Sequence, residues 1–445
     1  MTDLSAETVT LIMMGGIFLG IFTGYPIAFV FGTVGLFVGF TVWGLKAIEV
    51  IYGRMYGMMM DYILLAVPLF VFMGVMLERS GITEKLYDAL FVWLGGFRGG
   101  LAILTVLIGT ILAACVGIIA ASITMLALVA LPSMVRKGYS KSLAAGAVCA
   151  GGCLGILIPP SVMLVVYGPT AGISVGKLFM GAFFPGFTLS ILYCSYIAVR
   201  SYLQPNVAPS VPAEERQVPF LKKTWMLIVA LGPVAILIMS VLGVIFLGIA
   251  PPTEAAGCGA FVATLLTIAY RRFSWQVLKE VVRITMRTCG FIFLIITMAV
   301  AFTSVFLAAG CGDVVEEVIL GAPGGRWGIF AIIMFIIFIL GMFIEWIGIV
   351  LIMVPIVTPI ATALGFDLVW FSIMVCVNLQ MAFMTPPVAG GIFICRGACA
   401  PELGVTMGDI IRGVVPFVIL IIVGLTLMTI FPDIILWLPA QMIKG

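Results

Sequence analysis

The sequence predicts an all-α integral membrane protein built from two inverted repeats, each holding a re-entrant helical hairpin and a broken helix. Three observations carry that expectation. Of 445 residues, 63% are hydrophobic and only 9% are charged, with a mean hydropathy of +1.30. A soluble chain carries about 25% charged residues, because even a large domain has to cover itself with polar surface. Apolar runs long enough to cross a bilayer follow one another from end to end. A set of prolines and glycines in the first half also recurs in the second at one spacing.

Taken in order, the run 8–43 is long enough for two helices broken at Gly24-Tyr25-Pro26, and 61–78 supplies another span. The run 100–132 is read as the first hairpin and 141–169 as the first broken helix, followed by a span at 175–199. Residues 201–223, with Pro205, Pro209, Pro212 and Pro219 among charged side chains, read as a linker. The second half follows with spans at 225–249, 252–270 and 288–310, a hairpin at 327–364, a broken helix at 368–395 and a last span at 410–432. The chain therefore divides into 1–200, the linker 201–223 and 224–445.

The repeat rests on pairs 227 positions apart: Pro132 and Pro359, Gly138 and Gly365, Pro159-Pro160 and Pro386-Pro387. Arg98 and Gly100 recur at Arg326 and Gly328, slipped by one. Polar, partly amphipathic stretches at 44–60 and 271–287 correspond as well. Within 83–97, Leu86, Tyr87, Leu90, Phe91 and Leu94 share one helical face, the pattern of a helix lying along a membrane surface.

Charge orients the halves. The first hairpin is flanked by Arg98, Arg136, Lys137 and Lys141, and the second by Asp313, Glu316, Glu317, Arg326 and Asp367. Basic flanks stay in the cytoplasm, so the first hairpin enters from inside and the second from outside. Most of the 22 Lys and Arg then lie on the cytoplasmic side, with the linker inside and both termini outside. The halves are inverted, and inverted repeats with hairpins and interrupted helices are the pattern of secondary transporters.

Other functions are excluded by what the chain lacks. It has no histidine, which removes Ser-His hydrolysis, His-ligated zinc or haem and histidine proton relays. An intramembrane enzyme finds no acid–base set in the spans, and nothing resembles a repeated channel filter. A net charge of +3 is too small to point to nucleic acid. The ten cysteines have no CxxC spacing and read as small core residues. Asp3 and Glu7 without a basic stretch argue against a cleaved signal peptide.

The residues open to chemistry lie at the breaks and tips. Gly151 to Ser161 holds Gly155 and Pro159-Pro160 deep in an apolar span. Prolines remove donors and glycines allow unwinding, so carbonyls there are free for a hard cation such as sodium, unless the break is only a packing kink. A matching break is expected from Asn378 to Pro387, with Gln380 and Thr385. The first tip, Ala114 to Thr124, offers the hydroxyls of Ser122 and Thr124, either of which can instead bond back to its own helix. The second contains Gly341, Glu345 and Gly348, and a carboxylate inside an apolar hairpin is costly. Its structural alternative is a tip exposed to outside water. Glu254, after Pro251-Pro252-Thr253, fits the acidic first turn of a helix. Arg396 and Arg412 read as flanking charges, and Arg287 as a snorkelling side chain near the start of a span.

At these motifs the chain resembles the large membrane subunit (M subunit) of TRAP transporters, the tripartite ATP-independent periplasmic transporters of the ion-transporter superfamily. The resemblance covers nearly the full length. Its carriers are Gly24-Tyr25-Pro26-Ile27-Ala28, Leu65-Ala66-Val67-Pro68-Leu69-Phe70-Val71, Leu154 to Ser161, Pro252-Thr253-Glu254-Ala255-Ala256 and Thr385-Pro386-Pro387-Val388. It implies an elevator-type fold, with scaffold and transport domains, in the bacterial inner membrane. A small four-helix membrane subunit and a periplasmic substrate-binding protein are the implied partners, with Na+ as the coupling ion and an organic acid as substrate.

By that resemblance, sodium lies between each hairpin and its broken helix. The first set is Gly117, Ser122, Thr124, Gly155, Ile158 and Pro159, and the second is Glu345, Gly348, Asn378, Ala382, Thr385 and Pro386. Substrate contacts fall to Ser161, Gln380 and Glu345. Many members carry Ser-Gly-Ser-Ser at the first tip, where this chain has Val116-Gly117-Ile118-Ile119, so its first site leans more on backbone carbonyls. The competing expectation is a sodium-coupled organic-anion exchanger or exporter that works without a binding protein.

Overall fold

The computed structural model describes residues 4–117, 119–212 and 218–442. Among these, every regular element is helical, and nine helices are long and apolar enough to cross a membrane. The break at Gly24-Tyr25-Pro26 separates helices Ala6–Phe22 and Ile27–Trp43. Gly24 has φ +75°, a conformation only glycine adopts freely, and Pro26 precedes the second helix where no donor is needed. Glu254 stands in the first turn of Pro252–Ala269, at the end where the helix dipole favours a carboxylate.

Hairpins form where the apolar runs were too long for one span. The arms Gly100–Val116 and Ile119–Arg136 pack together, as do Gly325–Gly341 and Trp346–Ala363. The helix after each begins at a similar left-handed glycine turn, Gly138 at φ +81° and Gly365 at φ +70°. That after the second hairpin is capped by the Asp367 carboxylate, which accepts from the N–H groups of Val369 (2.9 Å) and Trp370 (3.0 Å).

Three segments depart from their sequence expectation. The polar stretch 271–287 is not separate from the span 288–310: one uninterrupted helix, Trp275–Ala308, runs for 34 residues, because no proline stands in it. Its partner stretch in the first half, by contrast, breaks after the helix Ala47–Met59, where Asp61 caps the turn Tyr62–Leu65. Helix Ile82–Leu94 turns Leu86, Tyr87 and Leu90 into the protein, so its apolar face is buried against neighbouring helices. Finally, helix Val175–Leu203 overruns the start of the linker, and 204–212 docks on the base of the first hairpin. There the Ala208 carbonyl accepts from Gly99 N–H (3.0 Å), the Val207 carbonyl from Ser140 N–H (2.8 Å), and Val211 N–H donates to Gly95 (2.9 Å).

Packing crosses between the halves. Helix Val162–Ala171 lies on Trp346–Ala363, and Gly390–Ala398 lies on Ile119–Arg136. Part of each broken helix thereby packs on the hairpin of the other half. Close approach rests on glycine: between the halves, a Cβ on Gly413 would stand 2.0 Å from the Ser142 carbonyl oxygen, and within the first half one on Gly109 would stand 2.5 Å from that of Gly151.

Candidate functional site

The first break begins after helix Lys141–Cys153. A single 3₁₀ turn, Leu154–Ile156, ends it, and the chain stays irregular until helix Val162–Ala171. Pro159 and Pro160 supply no N–H, and a proline disfavours helix at the residue before it, so the ladder stops here. Gly155, Ile158, Pro159 and Ser161 are all buried. The Ser161 hydroxyl donates to the Ile156 carbonyl. The first hairpin tip meets this break directly. Gly117, at φ +64°, lies so close that a Cβ there would stand 3.0 Å from the Pro160 carbonyl oxygen. Ser122 and Thr124 are not at the turn but on the second arm. Two residues apart on a helix, they point about 200° apart. Ser122 is 1% exposed and its hydroxyl has no protein partner, whereas Thr124 is half-buried. Ile118 and the Val116 side chain, central to the comparison of tip sequences, lie outside the described residues.

The second break is shorter and later than its sequence indicates. Helix Leu368–Met384 runs unbroken through Asn378, Gln380 and Ala382, and the irregular segment is Thr385 to Ala389. The reason is local: only Pro386 and Pro387 interrupt the ladder, and their reach extends back one residue. Asn378 donates from Nδ2 to the Met334 carbonyl (2.6 Å), leaving Oδ1 without a protein partner. Gln380 is 0% exposed, and neither amide atom finds a protein partner. Thr385 donates to the Met381 carbonyl at 2.7 Å, and Pro386 is exposed. The break is tied to the second tip by Val388 N–H donating to the Met342 carbonyl at 3.1 Å. Ala389 sits at φ +35°, ψ +61°, left-handed backbone for a residue with a Cβ.

Both tips and both breaks open onto one cavity of about 610 Å³. Of the residues singled out by sequence at the tips and breaks, it gathers Gly117, Gly341, Glu345 and Ala382 on its wall, with Ile156 and Val162 bracketing the first proline pair. Glu345, the residue before helix Trp346–Ala363, is half-buried there. Gly348 is elsewhere: a Cβ on it would meet the Phe31 ring at 2.7 Å, so it packs against helix Ile27–Trp43. Ser161, Gln380, Asn378, Thr385 and the proline pairs are not among the residues that line it. Sequence reasoning missed the wall's fourth side. Arg287, Thr288, Phe291 and Ile292 reach the cavity from the middle of Trp275–Ala308. Arg287 is twelve residues, about 18 Å, past the start of that helix. Sequence offered little signal for it, because a polar stretch from Arg271 leads directly up to it.

The family model described as "Tripartite ATP-independent periplasmic transporter, DctM component" matches residues 14–434. The chain belongs to this family. A C4-dicarboxylate TRAP transporter large permease protein of Pseudomonas aeruginosa is 32% identical over 381 residues, 85% of this chain and 86% of the relative. A sialic acid TRAP transporter large permease protein of Vibrio cholerae is 28% identical over 439 residues, 96% of this chain and 98% of the relative. The YdaH transporter of Alcanivorax borkumensis has the same fold, with a TM-score of 0.61 at 15% identity over 96% of this chain and 98% of its own. This DctM component is thus a transporter permease and not an enzyme, a multi-pass protein of the bacterial inner membrane.

Proposed function

We propose that the chain is the large permease of a sodium-coupled importer for a small organic acid, delivered by a periplasmic substrate-binding protein and accompanied by a small membrane subunit. The observation that carries this reading is the single cavity lined by both hairpin tips and both helix breaks. Irregular backbone at membrane depth is tolerated only where it is buried in protein or lines a cavity, and transporters place coupling-ion sites at such breaks. The oxygen chemistry suits sodium: the carbonyls around Gly117 and Gly155, the unpartnered Ser122 hydroxyl, and the free Asn378 Oδ1 are hard, uncharged donors. Gln380 and Glu345 add polar contacts near the substrate.

The two halves serve as inverted repeats, with the hairpins and broken helices moving as an elevator against helices such as Ile27–Trp43 and Trp275–Ala308. Matching left-handed turns at Gly81 and Gly310, both φ +74°, and at Gly138 and Gly365 support the pairing. The test is uptake by proteoliposomes holding both membrane subunits. Radiolabelled organic acid should accumulate only with an inward sodium gradient and the loaded binding protein outside. Full uptake without either one overturns the reading, and uptake without the binding protein favours the exchanger or exporter.

A further inference from the structure

The central cavity carries one basic side chain, and it comes from outside the hairpins and broken helices. Arg287, Thr288, Phe291 and Ile292 are spaced i, i+1, i+4 and i+5 on Trp275–Ala308, so they form one stripe facing the tips. Arg287 makes no ion pair among the described residues, where the one salt bridge joins Arg79 to Glu280. Glu345 shares the cavity with it, without pairing. Beyond these and Thr288, the wall is glycine, alanine and large apolar side chains, Ile119, Ile156, Val162 and Phe383 among them.

We propose that Arg287, with the Thr288 hydroxyl, anchors the carboxylate of a monocarboxylic acid whose body is aliphatic or aromatic. This rests on reading the cavity as the importer's substrate site. The guanidinium fork matches a carboxylate in two parallel hydrogen bonds, and Arg287, itself exposed, presents that fork beside a largely apolar wall. The rest of the wall decides what the other end of the ligand is. A second carboxylate finds no second basic side chain among the lining residues and faces Glu345 or hydrocarbon, where an unpaired charge is costly. A hydroxyl-rich acid leaves most of its hydroxyls unmatched, because the lining offers few polar side chains beyond Arg287, Thr288 and Glu345, and each unmatched hydroxyl costs more than a missing apolar contact. A volume of about 610 Å³ lies within the range of small-molecule pockets. This chain therefore differs in substrate class from permeases named for C4-dicarboxylates or sialic acid.

The test is equilibrium binding to the purified full chain, read as thermal stabilisation against concentration. The probes are 4-methyl-2-oxopentanoate and 3-phenylpropionate, with succinate, N-acetylneuraminate and the neutral 3-phenylpropionamide for comparison. The two apolar monocarboxylates should bind at least about ten-fold more tightly than the other three. Arg287→Gln should weaken them by about 10- to 100-fold, Thr288→Val by about 2- to 10-fold, and Arg287→Lys should fall between wild type and Arg287→Gln. Succinate or N-acetylneuraminate binding as tightly as the monocarboxylates overturns the proposal, as does no probe stabilising the wild type. So does unchanged monocarboxylate affinity in Arg287→Gln or, should that variant not fold, in both Arg287→Lys and Thr288→Val. Binding needs neither a sodium gradient nor a partner, so uptake that ignores both defeats the importer reading and leaves this result standing. Sodium-driven uptake with unselective binding defeats this proposal alone.

Discussion

Glu345 is the residue whose chemistry is least explained by packing. It is a half-buried carboxylate on the wall of a largely apolar cavity, and it makes no ion pair among the described residues. Helix N-termini favour a carboxylate, but the Glu345 side chain caps none of the N–H groups of Trp346–Ala363. A charge kept there points to a cation or substrate partner. Glu345→Gln should therefore slow uptake or raise the sodium concentration for half-maximal uptake by about ten-fold, the scale of a lost charged hydrogen bond. Initial rates against sodium would show it, and wild-type kinetics would return Glu345 to a structural role. This residue was legible in the sequence because a lone carboxylate stands out in a hairpin. Arg287 was not, since the polar residues before it from Arg271 onwards gave it the look of a side chain snorkelling near the start of a span.

Among the elements, the two breaks share a proline pair yet differ in setting. The first is wholly buried, from Leu154 to Ser161, while Pro386 and Pro387 are exposed. In both, proline withholds an N–H and keeps the preceding residue out of the helix. Alanine would restore a donor and let the helix run on, withdrawing carbonyls from the site. Pro159→Ala and Pro386→Ala should each lower the initial uptake rate several-fold more than they lower the amount of protein inserted. Quantifying both in one membrane preparation decides the point, and a parallel fall in the two assigns the prolines to folding. The start of the second break follows from proline sterics, which act on Thr385 but not on Asn378 or Gln380. An expectation built on symmetry with the first break places it seven residues too early.

Over the whole molecule, contacts between the halves are mostly apolar. The salt bridge between Arg79 and Glu280, 2.8 Å long, joins helix Ala66–Arg79 to Trp275–Ala308, but its side chains are 38% and 49% exposed. Water and salt screen such a pair. Glu280→Gln should change unfolding stability by less than about 1 kcal/mol, measured by thermal unfolding of the purified protein. A larger loss would show that the pair is effectively desolvated in the membrane. The tight crossing of the halves at Gly413 with Ser142 instead depends on backbone approach, which a single methyl group would block, as does the crossing of Gly109 with Gly151 inside the first half.

By itself the sequence determined the membrane class, the helical content, the two families of hairpin and broken helix, and the proline chemistry of each break. Those features follow from composition, hydropathy and backbone sterics acting over a few residues. Only the tertiary structure decided which residues face one another. The crossing of Val162–Ala171 on the second hairpin and of Gly390–Ala398 on the first brings both tips and both breaks to one cavity. The uninterrupted run of Trp275–Ala308 then closes that cavity with Arg287. Such a meeting depends on helix packing between segments far apart in the chain, and no local pattern of residues specifies it.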